Sequence, residues 1–124
     1  MIEIKEGSDE IIEFTLKDDS DSPIIIDDLE DLNIFISDEE SLKATYRVSG
    51  ATGNDRNINI INSLEGQINI VIDRDFTEKY CGKHFDLIIE LTLDKTSTPG
   101  IFIDDKQTII QEFEKYIKID RVNK

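Results

Sequence analysis

The sequence predicts an all-β sandwich of about seven to nine short antiparallel strands, with one short helical turn near residues 75–81. Three observations carry that expectation. Apolar and polar residues alternate at period two almost end to end; turn signals recur about every eight to twelve residues; and isoleucine dominates the apolar set. Isoleucine packs well on a pleated surface and loses rotamer freedom in a helix, so its excess favours strands.

Each element follows in order. Ile2 and Ile4 point one way, with Glu3 and Lys5 the other. Glu6-Gly7-Ser8-Asp9 turns the chain into a strand from Glu10 to Lys17, whose Ile12, Phe14 and Leu16 share a face. The loop from Asp18 to Pro23 leads to a short apolar touch-down at Ile24–Ile26, an acidic bend, and a strand bearing Leu32, Ile34 and Ile36. Asp38–Ser41 bends into Leu42–Val48, where Ala44, Tyr46 and Val48 align. After the Gly50–Asp55 loop comes a hairpin: Ile58 and Ile60, a turn near Leu64-Glu65-Gly66, then Ile68, Ile70 and Ile72.

Asp73–Gly82 is the segment that reads as helical, with Asp75 as its cap, Phe76 and Tyr80 at i and i+4, and Gly82 as its stop. Phe85, Leu87, Ile89, Leu91 and Leu93 form the strongest alternating strand. Lys95–Gly100 is a loop, and Ile101 and Ile103 extend a ragged edge strand. In Thr108–Ile119 the apolar set Ile110, Phe113, Ile117 and Ile119 breaks phase, which predicts a bulge. A helix over 107–116 is the alternative there, against which the closing Tyr116-Ile117-Lys118-Ile119 favours a strand. Without crossover helices, a parallel α/β architecture is excluded, and residues 1–124 are expected to form one domain.

Composition narrows the function classes. Charged residues make up 34% of the 124 and apolar residues 38%, with a formal net charge of −14. A field of that sign repels phosphate backbones and anionic lipid surfaces, so neither nucleic acid nor membrane is an expected partner. It keeps a small protein soluble and permits docking on a basic neighbour. Cys81 is the single cysteine, so an intrachain disulfide is impossible and stability must come from the core. The start, Met1-Ile2-Glu3-Ile4-Lys5, lacks the basic and apolar regions of a signal peptide, which predicts synthesis and retention in a cytoplasm.

Candidate chemistry is sparse. The loop from Asp19 to Glu30 places oxygen ligands at several positions of a calcium-loop template, with Asp19, Asp21, Asp27 and Glu30 as the candidate ligands. Pro23 and Ile24 occupy the fifth and sixth places, where a ligand and a glycine belong, and the flanks are strands. A solvated acidic rim that blunts a strand edge is the simpler reading. Cys81 and His84 are three residues apart, but two ligands do not make a zinc site, and a nucleophile needs an oriented base. The chain has neither a glycine-rich phosphate loop ending in Lys-Ser/Thr nor a basic stripe interleaved with aromatics. No catalytic residue and no cofactor is expected.

The order Ile2-Glu3-Ile4-Lys5-Glu6-Gly7-Ser8-Asp9, then Ile12-Glu13-Phe14-Thr15-Leu16-Lys17-Asp18, resembles the opening of bacteriophage tail and baseplate immunoglobulin-like domains. Pro23-Ile24-Ile25-Ile26-Asp27-Asp28-Leu29 is similar to their Pro and Ile/Val-Asp-Leu bend. Gly82-Lys83-His84-Phe85-Asp86-Leu87-Ile88-Ile89-Glu90-Leu91 is similar to a late strand of theirs, with His84-Phe85 departing from the usual aromatic spacing. The resemblance, to the N-terminal domains of upper-baseplate proteins among others, implies an immunoglobulin-like sandwich without catalytic residues. It implies a virion part that joins other virion proteins, in several copies of a symmetric assembly. A capsid decoration or head-fibre adaptor is the nearest alternative. A carbohydrate-binding or host-attachment module with calcium-supported loops is a more distant one. Contact would be made through apolar positions opposite the core phase: Ile11, Ile25, Phe35, Ile61 and Ile88.

Overall fold

Period-two alternation resolves into two packed layers whose isoleucine faces meet. The computed structural model describes residues 2–18, 20–48, 55–94 and 106–121. Among these are nine strands: β1 (Ile2–Lys5), β2 (Glu10–Thr15), β3 (Leu29–Ser37), β4 (Leu42–Arg47), β5 (Arg56–Asn57), β6 (Asn59–Asn62), β7 (Gln67–Ile72), β8 (His84–Asp94) and β9 (Lys106–Asp120). A 3-10 turn, Ile26–Asp28, precedes β3, and the helix α1 spans Arg74–Lys79. One sheet has the order β1-β9-β8-β3-β4-β5 and the other β2-β7-β6. The second, third, sixth and seventh strands of a seven-strand sandwich divide this way in immunoglobulin folds, and an extra strand beside the third marks the variable type. The chain is an all-β, immunoglobulin-like sandwich with one short helix.

Two strand pairs depart from the antiparallel expectation. β1 runs parallel to β9, with Ile2 opposite Ile117 and Lys5 opposite Asp120, and β4 runs parallel to β5, with Tyr46 opposite Arg56. Alternation carries no strand direction, so this was invisible in the sequence. The physical cause at β1 is the Glu6–Asp9 turn, which carries the chain from one sheet to the other and leaves β1 alongside the last strand.

The core is the meeting of one face from each sheet. Ile12, Ile68, Ile70 and Ile72 from the small sheet face Ile34, Ile36, Tyr46, Phe85, Leu87, Ile89, Leu91, Ile117 and Ile119 from the large one, all buried. Burying each such side chain contributes about 1.5–3 kcal/mol. The touch-down adds Ile24 and Ile26, both buried, while Ile25 between them stays exposed. The buried Tyr46 hydroxyl donates to the Val71 carbonyl at 2.9 Å, tying β4 to β7 across the layers. At the open side of the sandwich, Phe14, Tyr116 and Phe113 stack in a row, with centroid distances of 6.5 and 5.2 Å, and join β2 to β9.

α1 closes one end. Its cap is Asp73, whose side chain accepts from the Phe76 N–H at 2.9 Å; Asp75, expected in that role, lies inside the first turn. Asp73 takes the position because its extended backbone continues directly from β7. Thr77, fully buried, accepts from the Gly7 N–H at 3.0 Å and donates to the Ser8 carbonyl, latching the β1–β2 turn onto the helix. Phe76, Tyr80 and Phe85 pack as a cluster beneath it.

The phase break in the last strand is a bulge. Phe85 pairs with Ile117 but Leu87 with Phe113, so β9 spends two extra residues there. Lys115 adopts φ 48, and its N–H donates to Asp86 Oδ1 at 2.8 Å, replacing a lost ladder bond. Residues 107–116 are strand and not helix. The edge strand expected at Ile101 and Ile103 lies outside the described residues.

Candidate interaction surface

The acidic loop is organised by its own hydrogen bonds. Asp18 Oδ1 accepts from the Ser20 and Ser22 N–H groups at 2.9 and 3.0 Å, and Lys17 pairs with Asp21 at 3.5 Å on the open surface. Asp27 sits in the 3-10 turn, its N–H donating to Ser63 Oγ at 3.0 Å, and Glu30 lies beyond that turn in β3. Asp19 falls outside the described residues. Among those described, no three His, Cys, Asp or Glu side chains gather in a metal-holding arrangement, and no helix is long and apolar enough to cross a membrane.

Cys81 and His84 are not brought together as a pair of reacting groups. Cys81 packs half-buried against the core margin, whereas His84 is exposed at the start of β8, opposite Lys118. His84 lines an open cleft of about 430 Å³ with Asp38, Lys83, Asp86 and Lys115 among others. The cleft's central carboxylates hold the backbone. Asp38 accepts from the Ser41 and Glu40 N–H groups at 3.0 and 2.8 Å, which hold its carboxyl below the usual range, with Lys43 and Lys83 assisting at 3.6 and 3.7 Å. Asp86 holds the bulge. A second groove, beside α1, carries Arg56 paired with Asp73, and the ammonium groups of Lys43 and Lys79 over the Tyr80 ring at 5.6 and 5.3 Å. The Arg56–Asp73 pair and the Lys43–Tyr80 contact fasten the two ends of α1 to β5 and β4.

The five apolar candidates divide between two surfaces. Phe35 and Ile88 are cross-strand neighbours, half-buried on the outer face of the large sheet. Ile11 lies at one end of the small sheet, opposite Val71, and Ile61 in β6 at the other, with the Asn69 row between them. Ile25 belongs to the Ile61 end, because the next residue's N–H, that of Ile26, donates to the Ser63 carbonyl in the β6–β7 turn.

That end holds one residue the alternation pattern misassigned. Ile60 was expected to share a core face with Ile58; Ile58 is buried, but Ile60 is 42% exposed, beside Ile61 at 49% and Leu64 at 70%. All of β6, Asn59-Ile60-Ile61-Asn62, is exposed. A sequence signal does mark it. Residues 57–72 contain a single charge, Glu65, in a chain one-third charged. The two sheets present four edges: β1 carries Glu3 and Lys5, β2 carries Glu10 and Glu13, and β5 carries Arg56. β6 carries none, and among the described residues its outer side pairs with no strand. The face beside it is amide-rich, with Asn59 donating to Asn69 Oδ1 at 2.9 Å.

Comparison with known proteins yields no match: no protein-family model, curated protein or solved structure is significantly similar to this chain.

Proposed function

We propose that the chain is a non-enzymatic structural protein of a bacteriophage virion, in the tail, baseplate or head–tail region, working by protein–protein contact. The observation that carries this reading is the charge-free, exposed edge of the small sheet at β6. Charged side chains on an edge keep other strands away, and three of the four edges have them. An edge without them accepts a neighbour's strand without burying an unpaired ion. A net charge of −14 elsewhere keeps the rest of the surface from sticking indiscriminately. The likeness of Ile2–Asp18 and of the Pro23–Leu29 bend to baseplate immunoglobulin-like domains supports the virion setting.

The test is fractionation of density-purified particles of the phage that encodes the chain, separated into heads and tails. The chain should appear in fixed ratio to the tail proteins. Finding it only in the soluble fraction of infected cells overturns the reading.

A further inference from the structure

We infer that the open stretch of β9 before Ile117 takes an extended segment of another protein, apolar on its inward side and basic on its outward side. This goes beyond the β6 edge and assigns a second surface. β9 has 15 residues, and β1 covers only its last four, Ile117–Asp120. Among the described residues, no strand pairs with that same side of β9 before Ile117. Pairing with β8 takes half of the N–H and C=O groups there, and the alternate half faces outward. β1 shows that this side of β9 accepts a strand, and the open line continues from its Ile2 end.

Side chains along that line define the occupant. Ile109, Phe113 and Tyr116 pack on the core but stay half-buried, and Phe14 of β2 completes their row across the seam between the sheets. A strand laid here covers that row, so its inward positions are apolar. On the outward side stand Glu112 and Ile110, the latter 62% exposed. A Lys or Arg opposite them lays its aliphatic stem along the isoleucine and its charge beside the carboxylate. The stretches bordering the seam, Glu10–Thr15 and Ile109–Phe113, carry Glu10, Glu13 and Glu112 and neither Lys nor Arg. In a chain of charge −14, such a border repels a second copy and attracts a basic strand. The bulge places Glu114 and Lys115 in the wall of the cleft beside His84, away from the seam. The occupant bonds to β9 alone; β2 contributes Phe14 and its acids. Because β2 and β6 are opposite margins of the small sheet, the seam and the β6 edge lie on opposite sides of the sandwich. A chain that holds one neighbour at each joins the two.

The experiment follows the backbone amides of the isotope-labelled chain by NMR as capped peptides of about eight residues are added to about 1 mM. One peptide alternates Lys and Val. A second has the same composition with Lys and Val in separate blocks, and a third is the alternating peptide N-methylated on alternate backbone amides. The alternating peptide should shift the amides of Ile109–Phe113 and leave those of Asn59–Asn62 unchanged. The other two should bind at least about tenfold more weakly, one for want of a two-faced pattern and one for want of backbone donors. E112K should weaken the alternating peptide about fivefold, with a melting temperature close to that of the wild type because Glu112 is exposed. An alternating peptide that leaves Ile109–Phe113 unmoved, that binds no better than the block-ordered one, or that is indifferent to E112K overturns the inference. Detection of the chain in purified particles has no bearing on these outcomes, so the virion reading and this one fail separately.

Discussion

Replacing Gly66 with alanine attacks a point where three backbone segments meet. Gly66 follows the β6–β7 turn with φ +68, and a Cβ built there would stand 2.6 Å from the Leu16 carbonyl oxygen and 2.8 Å from that of Ile24. Neither neighbour is free to retreat: the Leu16 N–H donates to the Gly66 carbonyl at 2.8 Å, and the Ile24 N–H donates to the Leu16 carbonyl at 2.9 Å. The left-handed conformation costs a non-glycine residue about 1–2 kcal/mol, and forcing the backbone apart adds about 2 kcal/mol or more. Gly82 provides the internal comparison. Its φ is +79, but the nearest atom to its Cβ is Arg121 Nε at 3.0 Å, on an exposed side chain that can swing aside. G82A should therefore cost only the conformational part, about 1–2 kcal/mol, and G66A about 3–5 kcal/mol. Urea unfolding of both variants against the wild type measures the difference. For a chain of 124 residues each kcal/mol lowers the melting temperature by about 4 °C, so G66A should melt roughly 12–20 °C early. A G66A variant no less stable than G82A would refute the close approach of the three segments.

Other expectations follow from single contacts. Burial pushes the Tyr46 phenol up to about 12, so between pH 10 and 12 the unfolded chain releases this proton while the folded one keeps it. Stability should accordingly fall by up to about 3 kcal/mol across that window, and Y46F should remove that part of the alkaline slope in pH-dependent urea titrations. At the acid end the sign reverses. The depressed Asp38 carboxyl contributes stability above the usual carboxylate range and loses it as pH falls through its lowered value, so D38N should flatten the acid-side decline in the same titrations. D86A removes the acceptor that holds the Lys115 N–H in the bulge and should cost about 1 kcal/mol by urea unfolding. Ile70→Ala should cost about 2–4 kcal/mol in the fully buried core, whereas Ile11→Ala, at 59% exposure, should stay within about 0.5 kcal/mol.

What could be read from the sequence, and what could not, divides along a physical line. Alternation reports which side chains face inward, so Ile34 and Ile36, Phe85 through Leu91, and Ile68 through Ile72 were legible as core. It is blind to strand direction, which hid the parallel pairing of β1 with β9. It is equally blind to edge position: Ile60 has the right phase for the core, but β6 lies at the margin of a three-stranded sheet, where nothing described covers it. The bulge was visible as a broken phase, while its partner Asp86 was not, since pairing across β8 and β9 is a property of the register. Two aspartates competed to cap α1, and the extended backbone leaving β7 decided for Asp73. The candidate surface was half legible. Ile61 and Ile25 stood out by phase, whereas Ile60 and Leu64 join them only once the hairpin is folded. The uncharged run of residues 57–72 was the available signal, and it is compositional, so period-two reading passes over it.

The most direct test of β6 as the docking edge is backbone amide hydrogen exchange over Asn59–Asn62 in the free chain and in the chain assembled in purified particles. Protection that rises at β6 on assembly, while the edge amides of Glu10–Thr15 stay unchanged, is the predicted result. Protection that stays flat at β6, or that rises at β2 instead, would contradict it.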